Sequence, residues 1–181
     1  MIVAAMATLL LSSQTIGVLF KISTSSHDME FDLCMWDTAG HERFRSLTAT
    51  YLRGANIAVG VFSSSDENSL EVARSLLIQA CNSVPSCTLV LVETKIDISG
   101  MDRDCQALVR LMDELGIPQE NFVRVSAKTG DGISELRDLL TEISYRQYID
   151  AAMLSTRPTV NDPCGNDNGA IGGNKSSCLI C

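Results

Sequence analysis

Two short apolar runs restrict the fold of this chain more than any other feature. Ile57-Ala58-Val59-Gly60-Val61-Phe62 and Thr88-Leu89-Val90-Leu91-Val92-Glu93 are nearly unbroken hydrophobic stretches between polar flanks. A strand wetted on one face alternates apolar and polar residues, whereas a continuous run fits a strand covered on both faces inside a parallel sheet. Between the runs, Leu70, Ala73, Leu76, Leu77 and Ala80 recur at helical spacing, with Ser65 and Asp66 as caps and Val84-Pro85 as the stop. This spacing predicts a helix over about 68–82. A second helix over about 102–115 carries Leu108, Leu111, Met112 and Leu115 on one side and is closed by Gly116. Residues 121–125 read as the last strand, and Ile133, Leu136, Leu139, Leu140 and Ile143 give the closing helix its apolar face. Upstream, a strand beginning near Val18 and a second over Phe31 to Trp36 read as an antiparallel hairpin that turns near His27-Asp28-Met29. The alternation implies an α/β domain, its mostly parallel sheet flanked by helices and its ligand crevice at the C-terminal ends of the strands.

Composition narrows the class. With 181 residues, 45% of them hydrophobic, the chain suits one domain with a substantial core. A net charge of -8, with 14 Lys and Arg spread along the chain, speaks against a nucleic-acid partner, which would need a basic patch. Seven cysteines show neither a disulfide framework nor zinc spacing, and Cys34, Cys81 and Cys105 fall in an apolar run and on predicted helices. A reducing, cytosolic compartment follows. No apolar run approaches the roughly 20 residues of a membrane span. Met1 to Leu11 imitates the apolar part of a signal peptide, yet no Lys or Arg precedes Lys21. From Ala152 onward Asn, Gly, Ser, Pro and Thr dominate without periodicity, which predicts disorder. The chain therefore divides into an atypical apolar N-terminus (1–13), a domain (14–149) and a tail (150–181).

Three loops carry chemistry. In Trp36-Asp37-Thr38-Ala39-Gly40-His41, a strand end opens into a Gly-containing loop: Asp37 supplies a carboxylate and Gly40 lets backbone approach, a layout suited to a metal-bound phosphate. Thr94-Lys95-Ile96-Asp97 leaves the second buried strand. A carboxylate fixed there accepts both N–H donors of a guanine edge, and adenine would leave it unpaired. Alone, such a tetrapeptide reads rather as a solvated loop. Ser126-Ala127-Lys128, one helix and one strand later, makes the pair informative.

These residues resemble Rab-type small GTPases. Trp36 through Phe44, with Arg53-Gly54-Ala55 beyond, is similar to the family's second switch, W-D-T-A-G-Q-E-R-F, with His41 in place of Gln. Ile16-Gly17-Val18-Leu19-Phe20 resembles I-G-V-D-F, Leu19 replacing Asp; Thr94 replaces the Asn of N-K-x-D; Ser126-Ala127-Lys128 matches S-A-K. The resemblance covers roughly 14–148 and implies a P-loop-NTPase-like fold, GTP/GDP and Mg²⁺ as cofactors, and a molecular switch in intracellular vesicle transport. It assigns Thr15 and Asp37 to Mg²⁺, the Gly40 N–H to the γ-phosphate and His41 to the attacking water, with slow intrinsic hydrolysis. It assigns Thr94, Lys95, Asp97, Ser126, Ala127 and Lys128 to the guanine, the lysine stems flanking the base and the Ala127 N–H meeting its oxygen. Ile16, Phe20, Trp36, Phe44 and Tyr51 would form the surface for Rab effectors, exchange and activating proteins, and escort protein or GDI. Cys178-Leu179-Ile180-Cys181 has the form C-a-a-X and implies prenylation at Cys178 and Cys181, with residence in the cytosol and on the cytoplasmic face of intracellular membranes.

One family element is absent from the sequence: no G-x-x-x-x-G-K-[ST] phosphate loop occurs in it. The expectation is a Rab-like GTPase with its first strand, phosphate loop and first helix missing or replaced, and with impaired nucleotide binding. The alternative is a prenylated pseudo-GTPase that acts as a nucleotide-independent interaction module; a third reading makes the apolar start a signal and denies the GTPase role. In the family, that first strand lies between the counterparts of Phe31–Trp36 and Ile57–Phe62, so its loss would expose two facing strand edges. Met1 to Ala7 is apolar enough to take the place.

Overall fold

The computed structural model describes residues 17–38, 52, 54–63, 65, 66, 68–98, 105–155 and 176–180. Strands β1 (Gly17–Ser26) and β2 (Met29–Thr38) form the expected hairpin, in register from Gly17 opposite Thr38 to Ser26 opposite Met29. His27 and Asp28 make the two-residue turn with φ of 50° and 60°, the left-handed pair that matches the twist of a hairpin. Along β2 the pleat sorts side chains: Phe31, Leu33 and Met35 are buried, while Asp32, Cys34 and Trp36 are half-buried.

Strands β3 (Ile57–Ser63), β4 (Thr88–Thr94) and β5 (Phe122–Arg124) follow, alternating with helices α1 (Ser69–Ser83), α2 (Cys105–Leu115) and α3 (Ile133–Ser155). The three strands are mutually parallel. Their unbroken apolar runs are explained by helices on both faces. One face sets Val59, Val90 and Val92 against Leu136, Leu140 and Ile143 of α3. The other sets Ala58, Phe62, Leu89 and Leu91 against Ala73, Leu77 and Ala80 of α1 and Leu111 and Met112 of α2. Gly60 marks where α1 comes nearest the sheet, since a Cβ there would lie 2.8 Å from Leu77 Cδ1.

The helix ends follow local chemistry. Helix α1 starts later than its expected caps: Asp66 Oδ1 accepts the Asn68 N–H at 3.0 Å, and the Ser69 hydroxyl donates to the Ser63 and Asp66 carbonyls at 2.9 and 2.7 Å. Ser65 and Asp66 thus build the turn before the helix, and Asn68 at the cap makes no side-chain cap bond. At the end of α2, Gly116 takes φ 64° and the Ile117 N–H returns to the Met112 carbonyl at 2.8 Å, as a glycine cap should.

Two parts of the region read as a structureless tail are ordered elements. Helix α3 continues to Ser155, and Ser176–Ile180 forms a sixth strand, β6. The sheet order is β1-β2-β6-β3-β4-β5, so β6 fills the place between β2 and β3 and runs parallel to both. The reason is non-local: two strand edges face each other in the core, and their unmet N–H and C=O groups select a partner that no composition rule identifies. Met1 to Ala7, read as a substitute strand, lies outside the described residues. Beyond β6, the hairpin is tied to α3 by His27 stacked on Tyr145 at 4.2 Å, by Phe31 edge-on to Tyr145 and Tyr148 at 6.3 Å each, and by the Thr24–Thr141 hydroxyl bond at 3.0 Å. Among the described residues no helix is long and apolar enough to cross a membrane.

Candidate functional site

Parallel strands deliver their following loops to one edge of the sheet, and here the loops after β4 and β5 meet. Thr94, the buried last residue of β4, is paired with Ser63 of β3. Lys95 then takes φ 61°, a left-handed conformation that costs a non-glycine residue roughly 1–2 kcal/mol. The twist turns the chain so that Ile96 N–H donates to the Val125 carbonyl at 3.3 Å, while Val125 N–H donates to the Glu93 carbonyl at 2.7 Å. These backbone bonds stitch the two loops together. Beside them the buried Glu93 carboxylate accepts from Arg124 Nε at 2.8 Å.

Asp97 and Ser126, 29 residues apart in sequence, are thereby brought into contact. The Ser126 hydroxyl donates to Asp97 Oδ1 at 2.6 Å and receives the Thr129 N–H at 3.3 Å. Ser126 is fully buried, and the Asp97 side chain is 14% exposed. Lys128 Nζ lies 3.8 Å from Asp97 Oδ2 on a side chain that is 77% exposed, a loose pair that contributes little to stability. The Ser126 hydrogen bond is the main cause that lowers the Asp97 carboxyl below its usual 3.8, helped by its own backbone N–H and by Lys128, with desolvation acting in the opposite direction. The result is a fixed, ionised acceptor at the rim of the sheet.

The loop after β5 is rigid for reasons of its own. Ser126 N–H donates to the Asp131 carbonyl at 2.9 Å, Gly130 N–H to the Ser126 carbonyl at 2.8 Å, and Thr129 Oγ1 to Asp131 Oδ2 at 2.6 Å. Gly132 sits at φ 70°, and a Cβ on it would fall 1.9 Å from the Arg124 carbonyl oxygen. Only glycine fits. Among the described residues, the half-buried Ala127 has no acceptor for its N–H, which suits a ligand oxygen at that point.

The loops after β4 and β5 thus bring Asp97 together with Ser126 and Lys128, with Thr94 at the end of β4, Lys95 and Ala127 beside them in sequence, the set that the resemblance assigns to a guanine. The donor and acceptor chemistry fits that base: an ionised carboxylate, a backbone N–H and two long lysine stems. The Ser126 hydroxyl, assigned with the others to the base, bonds Asp97 and Thr129. Thr129, Asp131, Gly132 and the Glu93–Arg124 pair were missed, although Thr-Gly-Asp-Gly after Lys128 is a readable turn signal.

The switch residues are reached less completely. Trp36 is half-buried against the core cluster that includes Leu33 and Met35, so part of its surface serves packing. The backbones of Phe20 and Asp37 are placed in β1 and β2, opposite Met35 and Val18. Thr15, Ile16, Gly40, His41, Phe44, Tyr51 and Cys181 lie outside the described residues. Cys178, which the composition places in a structureless tail, stands in β6, in register with Cys34.

Comparison with known proteins agrees with this geometry. Residues 11–145 match the Ras family. The chain is 30% identical over 163 residues to the Ras-related protein Rab-36 of Mus musculus, covering 87% of this chain and 60% of that protein. It is 34% identical over 137 residues to a putative ras-related protein Rab-5B of Dictyostelium discoideum, covering 75% and 62%. With the GTP-binding protein ypt2 of Schizosaccharomyces pombe it shares 31% identity over 156 residues, covering 84% and 76%. The chain thus spans about 60% of the length of the first two of these relatives. With residues 11–145 matching the family and this extent of similarity, the chain belongs to the Ras family and is a Rab-type small GTPase.

Proposed function

We propose that this chain is a guanine-nucleotide switch of intracellular vesicle transport whose base-reading half is intact and whose phosphate-binding half is weak. The observation that carries the reading is the Asp97–Ser126 bond at 2.6 Å with Lys128 alongside. It holds an ionised carboxylate where two N–H donors of guanine can be accepted together, and an adenine leaves that acceptor unsatisfied. Lys95 and Lys128 cover the base faces, and the Ala127 N–H receives its oxygen. Thr15 and Asp37 are the residues suited to Mg²⁺, and the Gly40 N–H to the terminal phosphate. His41, at the water-orienting position, makes intrinsic hydrolysis slow. Ile16, Phe20, Trp36, Phe44 and Tyr51 present the surface to effectors, to exchange and activating proteins, and to escort protein or GDI. Cys178 and Cys181 are the lipid attachment points, two chains compensating for a tail with only Lys175 basic nearby, and they keep the protein at the cytoplasmic face of internal membranes.

Because these 181 residues hold no G-x-x-x-x-G-K-[ST], the chain is expected to bind GTP in the micromolar range or more weakly. Titration with a fluorescent GTP analogue tests this, and nanomolar, Mg²⁺-dependent binding overturns it. A second reading, a prenylated pseudo-GTPase that engages effectors or escort proteins without nucleotide, is favoured by β6: Ser176–Ile180 takes the place between β2 and β3 where the resemblance puts the strand ahead of the phosphate loop. Pull-down of effectors in the presence and absence of GTP separates the two readings, since only a switch discriminates between them.

A further inference from the structure

Among the described residues, β6 pairs with only part of the length of the two strands beside it. Strand β2 spans 10 residues, β3 spans 7 and β6 spans 5. On the β2 side, Ser176 to Ile180 pair with Asp32 to Trp36. On the β3 side only Leu179 and Ile180 pair, with Ile57 and Ala58. Among the described residues, Val59 to Ser63 have no partner in β6 on that side, and neither do Asp37 and Thr38. The two residues of β6 paired on both sides are also its two strongly apolar ones. Both walls are core: Leu33 and Met35 are 1% exposed, and Ile57, Ala58 and Val59 are 0%.

We propose that this slot is an acceptor groove for a parallel apolar strand and that the chain's own segment Ser176–Ile180 is its detachable occupant. With the strand seated, the two halves of the sheet are joined; with it withdrawn, the C-terminal segment is free and the slot can take another extended apolar strand. Addition of a strand at unpaired edges supplies main-chain hydrogen bonds to any extended peptide, while alternate pockets select its side chains. The hairpin does not depend on β6 alone, since Tyr145, Tyr148 and Thr141 of α3 hold it independently. Withdrawal therefore opens the sheet without releasing β1 and β2.

One consequence rests on the lipidation reading above. Modification of Cys178 forms a thioether with the allylic carbon of an isoprenoid diphosphate, the thiol losing its proton and inorganic diphosphate leaving. A modifying enzyme needs the segment extended in its own cleft, so strand seating and lipidation exclude each other.

The test uses the full chain. Hydrogen exchange read by mass spectrometry should show the amides of 177–180, Cys34 and Trp36 protected, and iodoacetamide should alkylate Cys178 at least about ten-fold more slowly than in the urea-unfolded chain. In the double variant Leu179→Lys/Ile180→Lys, which puts charges in register with the buried Met35, Ile57 and Ala58, Cys178 should react at the unfolded rate while buried Cys87 stays protected. Random-coil exchange of 177–180 in the unaltered chain overturns the proposal whether or not the variant folds. A dimer dissolved by the double variant would make a second copy's segment the occupant and overturn seating within one chain. Incubating the free peptide 170–181 with a prenyltransferase reads the lipidation separately: an unmodified peptide beside a protected strand upholds the groove and sinks the lipid.

Discussion

Asp97 shows how a single carboxylate acquires a task through its neighbours. In isolation it is one loop aspartate among 22 acidic residues; joined to Ser126 it is an oriented, ionised acceptor. Replacement of Asp97 by Asn exchanges an acceptor pair for an acceptor and a donor, so preference for GTP over ATP in whatever binding remains should disappear. Competition of each nucleotide against a fluorescent analogue measures it, and unchanged discrimination rejects the role. Replacement of Ser126 by Ala should let the Asp97 pKa rise toward its ordinary value, because the lost hydroxyl is the main force holding it down; a carbon-13 NMR titration of the carboxyl reads this directly. Gly132→Ala combines a left-handed backbone, costing about 1–3 kcal/mol on its own, with a backbone clash at Arg124. Its denaturation midpoint should fall by more than the left-handed cost alone, and an unchanged midpoint would contradict the geometry. Of the site's residues, those in contiguous motifs were legible in sequence, whereas the Glu93–Arg124 pair joins two strands and carries no local signature.

At the scale of elements, strands and helices obey two different sources of information. Strands β3 and β4 are readable because burial on both faces leaves a continuous apolar run. Helices α1 and α3 are readable because one apolar stripe recurs at 3.6-residue spacing. The hairpin is readable from its turn and its alternation, yet its attachment to α3 through Phe31, Tyr145 and Tyr148 is not, because those residues meet only after the sheet has formed. Phe31 is 2% exposed, and Phe31→Ala should cost about 3–5 kcal/mol. Hydrogen exchange should show the loss first in β1 and β2. Equal loosening of β4 and β5 would mean that the hairpin is not the unit Phe31 secures.

Among the described residues, the carboxyl groups with a clear shift all move one way. Asp97, Asp32 and Glu114 are all lowered, held chiefly by hydrogen bonds from Ser126, Ser23 and Arg74 respectively. Each binds fewer protons in the folded than in the unfolded chain at acidic pH. Their contribution is present in full above the ordinary carboxylate range and is lost as pH falls through the lowered values. Arg74, raised by Glu114 and Glu71, stays charged throughout and adds no pH dependence of its own. Stability is therefore expected to be level from neutral pH to about pH 5 and to decline below it. These groups are solvent-accessible, so the decline should be gradual, and urea midpoints measured across this range check it. A rise on acidification would show that repulsion among the excess carboxylates outweighs the three bonds.

What the sequence by itself determined is what periodicity and contiguous motifs carry: the alternating α/β layout and the Rab-type family. Those are local patterns, and local patterns survive translation into structure because burial and backbone geometry act on near neighbours. The strand between β2 and β3 was decided by the tertiary structure alone. Ser176–Ile180 has no strand period and follows a segment rich in Gly and Asn, yet it enters the sheet because two buried edges left facing each other require main-chain partners. That requirement is a property of the assembled sheet, and no stretch of the chain read in isolation contains it.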